Sequence, residues 1–338
     1  MPLISVVLPV YNCQNYIEEA VHSILNQTIS DFELIIIDDA STDETLTIIN
    51  NLKDPRIKIV TKDQNLGLIH SLNLAFELSK GKFIARMDGD DISVPNRFEK
   101  QLDILENNSD VIVCGSWMQH FGKSEITVKH KENHNEIVAQ MLLHCSLNMG
   151  TTMFYREILI ANKFDESKKH VEDYDFWSRV AWIGKFYNIQ EVLYYYRVHE
   201  MQVSSIYKQI QVQGDLPIKL YLFKKIGYNT TKYKDAFIVK MILLNQSIDL
   251  KELELFLNWI KKLSYLNRKT NVFSQKELEK VLKKIKRKLL FSLYFNHTNI
   301  GITKKWRIKA LFKLPLQDAL YILKIKSRII RKGMLKGL

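Results

Sequence analysis

Cysteine is scarce in this chain of 338 residues: Cys13, Cys114 and Cys145, with no Cys-x-x-Cys pair. An odd, widely spaced set supports neither a disulfide framework nor a zinc ribbon, and it points to a reducing, cytoplasmic setting. Long apolar runs are missing too: no window approaches the ~18 consecutive apolar residues of a membrane-spanning helix. The opening Met-Pro-Leu-Ile-Ser-Val-Val has no basic segment, and Pro9 and Asn12 interrupt its apolar run, so no secretory signal is expected. Glycine is sparse, and no two glycines sit two residues apart. Gly-x-Gly-x-x-Gly is therefore absent, as is the full Gly-x-x-x-x-Gly-Lys-Ser/Thr pattern, which argues against a dinucleotide Rossmann site and a P-loop. Neither Gly-x-Ser-x-Gly nor His-Glu-x-x-His occurs, which removes common hydrolase readings.

What is present is an ordinary globular composition, 46% hydrophobic and 25% charged, in a chain longer than one typical domain. The net charge of +12 conceals a division. Residues 219–338 carry 29 Lys+Arg against 7 Asp+Glu, whereas residues 1–218 carry 20 against 30. The basic tail interleaves Lys283, Lys284, Lys286, Arg287 and Lys288 with apolar residues at helical spacing. That pattern fits an anionic membrane surface, and equally a helical appendage with a solvated face. No recognition motif accompanies the charge, so nucleic acid is not an expected partner.

Along residues 1–114, short apolar runs alternate with helical patterns. Leu3–Val10, Leu34–Ile37, Ile57–Val60, Lys82–Met87 and Val111–Cys114 read as strands. Segments 15–26, Gly67–Ser79 and Pro95–Glu106 read as helices, the last opened by a first-turn proline. This order implies right-handed crossovers and an α/β fold with a mainly parallel sheet. Further strands are expected at 147–155 and 192–198, with a helix near 174–183. Beyond about residue 207 the chain reads as helical, which gives two expected domains, 1–215 and 216–338.

In an open α/β sheet, ligands bind outside the carboxyl ends of the strands. Those ends are polar here: Tyr11-Asn12 after the first, Asp38-Asp39 after the second, and Asp88-Gly89-Asp90-Asp91 after the fourth. Carboxylates so gathered repel one another unless a cation intervenes. The pattern suits a hard divalent ion whose remaining partners are phosphate oxygens. Asp88-Gly89-Asp90 is also a plausible turn. Glu172 and Asp173 open an apolar helical pattern, where they could be capping residues or a general base. His199 follows a tyrosine-rich strand and could be a satisfied polar residue or a ligand.

Taken in order, Pro9-Val10-Tyr11-Asn12, Asp38-Asp39-Ala40-Ser41-Thr42-Asp43, Asn65-Leu66-Gly67, Asp88-Gly89-Asp90-Asp91, Pro95-Asn96-Arg97, Glu172-Asp173 and Tyr196-Arg197-Val198-His199 resemble the family 2 inverting glycosyltransferases of the GT-A fold. The resemblance covers about residues 3–200. It implies that Pro9, Val10 and Tyr11 line a nucleotide pocket, that Asp39 hydrogen-bonds the base, and that Asn65 and Gly67 border the donor. It further implies that Asp88, Gly89 and Asp90 form the Asp-x-Asp element, with Asp90, Asp88 and His199 about a manganese or magnesium ion. Asp173 matches the catalytic base, with Glu172 as the alternative. The Gln-x-x-Arg-Trp element of processive members is absent, which favours transfer of one sugar from a nucleotide-sugar donor, UDP-linked being the commonest. A glycan or lipid-linked acceptor at the inner face of a bacterial membrane, in cell-surface polysaccharide synthesis, is the matching expectation. A non-catalytic sugar-nucleotide-binding relative and a nucleotidyltransferase are the competing ones.

Overall fold

The structure, a computed structural model, describes residues 1–199, 207–244, 246–295 and 303–334. It divides into two compact units, Met1–Lys219 and Leu220–Leu338.

The first unit is built on β1 (Ile4–Val10) and β2 (Phe32–Asp38), every residue of which is buried. Runs of Ile, Val and Leu suit them, because parallel strands covered on both faces have no polar side. α1 (Ile17–Leu25), α2 (Thr45–Asn51) and α3 (Leu68–Leu78) alternate with these two strands, β3 (Ile57–Thr61) and β4 (Phe83–Arg86). The pairs β1–β2, β2–β3 and β1–β4 are all parallel. Val6, Leu8, Ile17, Ile24, Phe83 and Phe98 share one core on this sheet.

After β4 come β5 (Ile92–Ser93), α4 (Arg97–Asn107), β6 (Val111–Gly122), β7 (Thr127–Val128), α5 (His134–Gln140), β8 (Met153–Tyr155), α6 (Glu157–Ala161), α7 (Glu172–Val180) and β9 (Lys185–Val198). The sheet order is β3-β2-β1-β4-β8-β6-β9-β5, with β7 beside β6. β8 enters antiparallel to both β4 and β6, while β6 and β9 pair in parallel along most of their length.

Three boundaries differ from the sequence reading. β6 continues to Gly122 and β9 begins at Lys185, because each supplies the other's ladder through register shifts near Ser116–Met118. Their mixed polar residues show no clean alternation, so only the long-range pairing defines them. The segment expected as a strand over 147–155 is a short 3-10 turn, Met149–Thr151, before β8.

The second unit is helical. α8 (Lys208–Lys224) crosses into it, followed by α9 (Asp235–Leu243), α10 (Leu250–Thr270), α11 (Gln275–Phe295), α12 (Lys304–Lys313) and α13 (Leu316–Met334). A capping box between Asp249 and Glu252 opens α10. The α10–α11 turn is closed by buried Asn267, which donates to the Phe273 carbonyl at 2.8 Å and accepts from its N–H at 2.9 Å. Trp259 is fully buried, with the rings of Phe223, Phe256 and Tyr228 at 5.0, 5.3 and 5.8 Å. Trp259→Ala is expected to cost ~3–5 kcal/mol, the usual cost of deleting a buried aromatic, with a smaller loss for Trp259→Phe. Urea unfolding followed by circular dichroism measures both.

Candidate active site

The ends of β1, β2 and β3 are tied together before any ligand arrives. The Asp39 N–H donates to the Val10 carbonyl at 2.9 Å. Asn12, in the left-handed region at φ 51°, accepts from the Thr42 N–H at 2.8 Å and donates its own N–H to Ser41 Oγ at 3.0 Å. Asparagine is among the few residues that adopt this conformation readily. The Asp39 carboxylate accepts from the N–H groups of Leu66 and Gly67 at 2.9 and 2.8 Å and is ion-paired with Lys62, both side chains being buried. Gly67 has φ +90°, which is why a glycine stands there. Pro9, Val10, Tyr11, Asp39, Asn65 and Gly67 therefore lie along one strand edge, with Tyr11 and Asn65 exposed on it. Both Asp39 oxygens are already bonded, yet a carboxylate has about four lone-pair sites, which leaves room for a ligand donor.

The fourth strand end brings charge inward. Arg86, the last residue of β4, is buried and donates from Nη2 to Asp88 Oδ1 at 2.6 Å. A Cβ on Gly89 would sit 3.0 Å from Val10 Cγ1 and 3.2 Å from Cys13 Sγ, so the missing side chain lets this loop close on β1. The end of β9 then clamps it. Arg197 donates its N–H to Asp91 Oδ1 at 2.8 Å, its Nε to the Asp90 carbonyl at 2.7 Å and its Nη2 to Glu19 at 2.5 Å. His199 Nε2 lies 2.9 Å from Asp90 Oδ2. From below, fully buried Arg97 donates to the carbonyls of Gly150 and Arg86 at 3.1 and 2.8 Å. Burial lowers the Arg97 guanidinium to about 10, so it remains positive at neutral pH. Burial also raises the Asp88 carboxyl, with the Asp90 charge adding to the rise and Arg86 opposing it. Asp91 is held well above the usual carboxylate range by burial and by the Asp88 charge.

Glu172 and Asp173 occupy the first turn of α7, but the N-cap is Val171 and no side chain caps the helix. Asp173 Oδ1 accepts from the Tyr174 N–H at 2.6 Å, and Cys145 Sγ lies 3.6 Å from its Oδ2. Burial pushes the Asp173 carboxyl up to about 7, the Glu172 charge adds to this, and Arg86 opposes it. Glu172 is likewise raised by burial. Arg86 thus bonds the acidic loop on one side and acts electrostatically on the α7 carboxylates on the other.

A divalent ion is compatible with these groups. Asp90 and His199 already converge on one point, an oxygen and an imidazole nitrogen with no lysine or arginine between them. Asp88 is shared with Arg86. Among the described residues no group of three or more His, Cys, Asp or Glu is placed to hold a metal ion, so the protein side offers the pair Asp90 and His199. Few protein ligands, with positions left for phosphate oxygens or water, is how magnesium-like ions are usually held.

Arg86 belongs to no motif of the sequence, Tyr194 reads there only as part of a tyrosine-rich strand, and Cys145 only as one of three scattered cysteines. The Tyr194 hydroxyl accepts from the Asp88 N–H at 3.3 Å, deep under the loop. Arg86 did carry a signal, since an arginine within a buried strand needs a partner. Cys145 carried none, because its proximity to Asp173 arises only on folding.

Asp39→Ala would leave Lys62 buried without its carboxylate. A loss of ~3–5 kcal/mol in stability is expected, much of it recovered by adding Lys62→Met. Denaturant midpoints of the single and double variants test this.

The model of Glycosyl transferase family 2 matches residues 5–177. The chain is 32% identical over 315 residues to an uncharacterized glycosyltransferase of Haemophilus influenzae, a match that covers 85% of this chain and 98% of that one. Among solved structures, TarS 1–349 of S. aureus in complex with UDP-GlcNAc aligns with a TM-score of 0.55 at 17% identity, covering 84% of this chain and 92% of that one. The mannosyltransferase PcManGT of Pyrobaculum calidifontis, in complex with GDP-Man and Mn2+, aligns at 0.52 and 15% identity over 86% and 88%. Identities this low speak to the fold alone, whereas the family model and the Haemophilus relative speak to descent. With a GT-A sheet whose acidic strand ends lie within the electrostatic reach of a half-buried carboxylate pair, the chain belongs to glycosyltransferase family 2.

Proposed function

We propose that this glycosyltransferase moves a single sugar, with inversion, from a nucleotide-sugar donor to a hydroxyl of a glycan or lipid-linked acceptor in cell-surface polysaccharide synthesis. The observation that carries the reading is the placing of Asp173: it stands in the first turn of α7, within the field of the same Arg86 that bonds the Asp88–Asp90 loop, and desolvation raises its carboxyl to about 7. A base poised near neutral pH is what deprotonation of a hydroxyl requires.

On this reading Pro9, Val10, Tyr11, Asp39, Asn65, Gly67 and Gly89 border the donor, and UDP is the simplest nucleotide for it, as in the TarS complex. Asp90 and His199, with Asp88, would hold manganese or magnesium, whose chemistry is to stabilise the charge of the departing nucleoside diphosphate. Asp173 accepts the proton of the acceptor hydroxyl while its oxygen bonds to the anomeric carbon. The bond to the diphosphate breaks on the opposite face, so one displacement inverts the configuration. The Glu172 charge adds to the rise of the base and Arg86 limits it. The absence of Gln-x-x-Arg-Trp supports single transfer, and the basic second unit supports an acceptor carried at an anionic membrane surface, with the enzyme peripheral to it.

Asp173→Asn is expected to lower turnover ~10²–10⁴-fold with donor affinity nearly unchanged. The base works deprotonated, so wild-type kcat/KM should rise as pH increases to about 7 and level off above it. Transfer assays across pH check both, and near wild-type turnover for Asp173→Asn removes the assignment.

A thermal-shift panel of nucleoside diphosphates with manganese tests the donor site. Ligand at 100 times its dissociation constant adds ~2.7 kcal/mol, a visible rise in Tm. One nucleotide family should stabilise the protein, and Asp90→Ala should abolish its manganese dependence.

A further inference from the structure

The last two helices of the second unit carry an outward face that is both apolar and basic. Ile308 and Phe312 on α12, and Leu316, Leu320 and Leu323 on α13, recur at three- or four-residue intervals within each helix, and they are 51, 85, 75, 55 and 50% exposed. The opposite sides of the same helices are packed: Ala310, Leu314 and Ile322 are buried. Lys305, Lys309, Lys324 and Lys326 are exposed among the apolar residues. Asp318 is the one acidic residue of segment 303–334, and it is buried against Lys286 at 2.8 Å.

A cavity of about 360 Å³ opens beside this face, one residue around α13, at Gln317 and Tyr321. Lys261, Lys283 and Arg287 reach it from α10 and α11. Its two carboxylates are already engaged, Glu279 by Arg268 at 3.1 Å and Asp318 by Lys286.

We propose that this face docks on an anionic lipid bilayer, with α12 and α13 lying in the interface. Leucines and Phe312 enter the acyl boundary, while the lysines extend to the headgroups. Each alternative occupant explains half of the pattern. A nucleic acid needs the charge but has no use for the exposed apolar row. A second copy would bring the same surplus of 29 basic over 7 acidic residues against itself. An anionic bilayer matches both features. No helix among the described residues is long and apolar enough to cross a membrane, so the contact is one of lying on the surface.

The inference deepens the membrane-side acceptor reading and rests on it for its purpose. The test is made without donor, acceptor or metal, so failure of docking and failure of transfer are separate results. The full-length chain is floated with phosphatidylcholine vesicles, with and without phosphatidylglycerol. Binding is expected only to the anionic vesicles and should weaken with salt. Phe312→Ser with Leu316→Ser should weaken binding at least about tenfold, and Lys305→Gln or Lys309→Gln about fivefold each, with Tm unchanged at these exposed positions. The proposal is overturned by equal binding to both vesicle types, by no binding at low salt, or by a serine pair that binds like wild type. It is also overturned if heparin captures the protein as well as the vesicles do, or if the serine pair dissolves a dimer and leaves vesicle binding intact.

Discussion

Negative charge gathered where little water reaches is the constraint around which the first unit is arranged. Asp90 acts on Asp88, both act on Asp91, Asp88 acts on Glu172 and Glu172 on Asp173, and desolvation raises four of the five. Buried carboxylates either protonate or find a cation, because desolvation penalises only the charged form. Arg86 is that cation on the protein side. It ends a strand whose other residues are Phe83, Ile84 and Ala85, so the sheet delivers a guanidinium where an apolar residue would otherwise point. Its bond to Asp88 fixes the acidic loop, and its field keeps Asp173 from rising further.

The bracing around this group is strong for its size. Arg97 holds the backbone carbonyl of Arg86 itself, so one buried arginine positions the other. Arg197 and Tyr194, on the last stretch of β9, hold both sides of the acidic loop. Charge-assisted bonds to backbone groups in a desolvated setting are the stronger class, and they restrain geometry that a loop alone would not keep. The Asp39 clamp on Leu66 and Gly67 does the same for the other rim. The strand edge is therefore set by side chains of β4, β9, α4 and the loop after β2, which favours a site organised before its ligand binds.

The sheet's parallel half was legible because β1 and β2 are buried on both faces and so read as unbroken apolar runs that end in polar residues. That same contrast exposed Asp39, Asp88 and Asp90. What could not be read is what only long-range pairing creates. β6 and β9 have no local period, and each extends as far as the other supports it. His199 and Asp90 are 109 residues apart, and no spacing rule joins them. The pattern placed Glu172 and Asp173 on a helix, but that neither caps it follows only from Val171 taking the N-cap position. The basic character of the second unit was visible as interleaved charge, yet only packing shows which apolar residues of α12 and α13 remain outside.

The pairing of charges also bears on the ion. A nucleoside diphosphate is anionic, and it would approach a rim that already carries Asp39, Asp88, Asp90 and Asp91. Among the described residues the nearby cations are committed: Lys62 to Asp39, Arg86 to Asp88, Arg197 to Glu19 and the Asp90 carbonyl, and Arg97 to backbone carbonyls. To redirect Lys62 toward phosphate would strip buried Asp39, a cost of ~3–5 kcal/mol in the worst case, and to redirect Arg86 would leave half-buried Asp88 unpaired. An ion that enters with the donor avoids that cost, since Asp90 and His199 already meet where it would be held and no cation separates them. On the proposed reading, a divalent metal is called for by the charges already spoken for as much as by the Asp-x-Asp spacing.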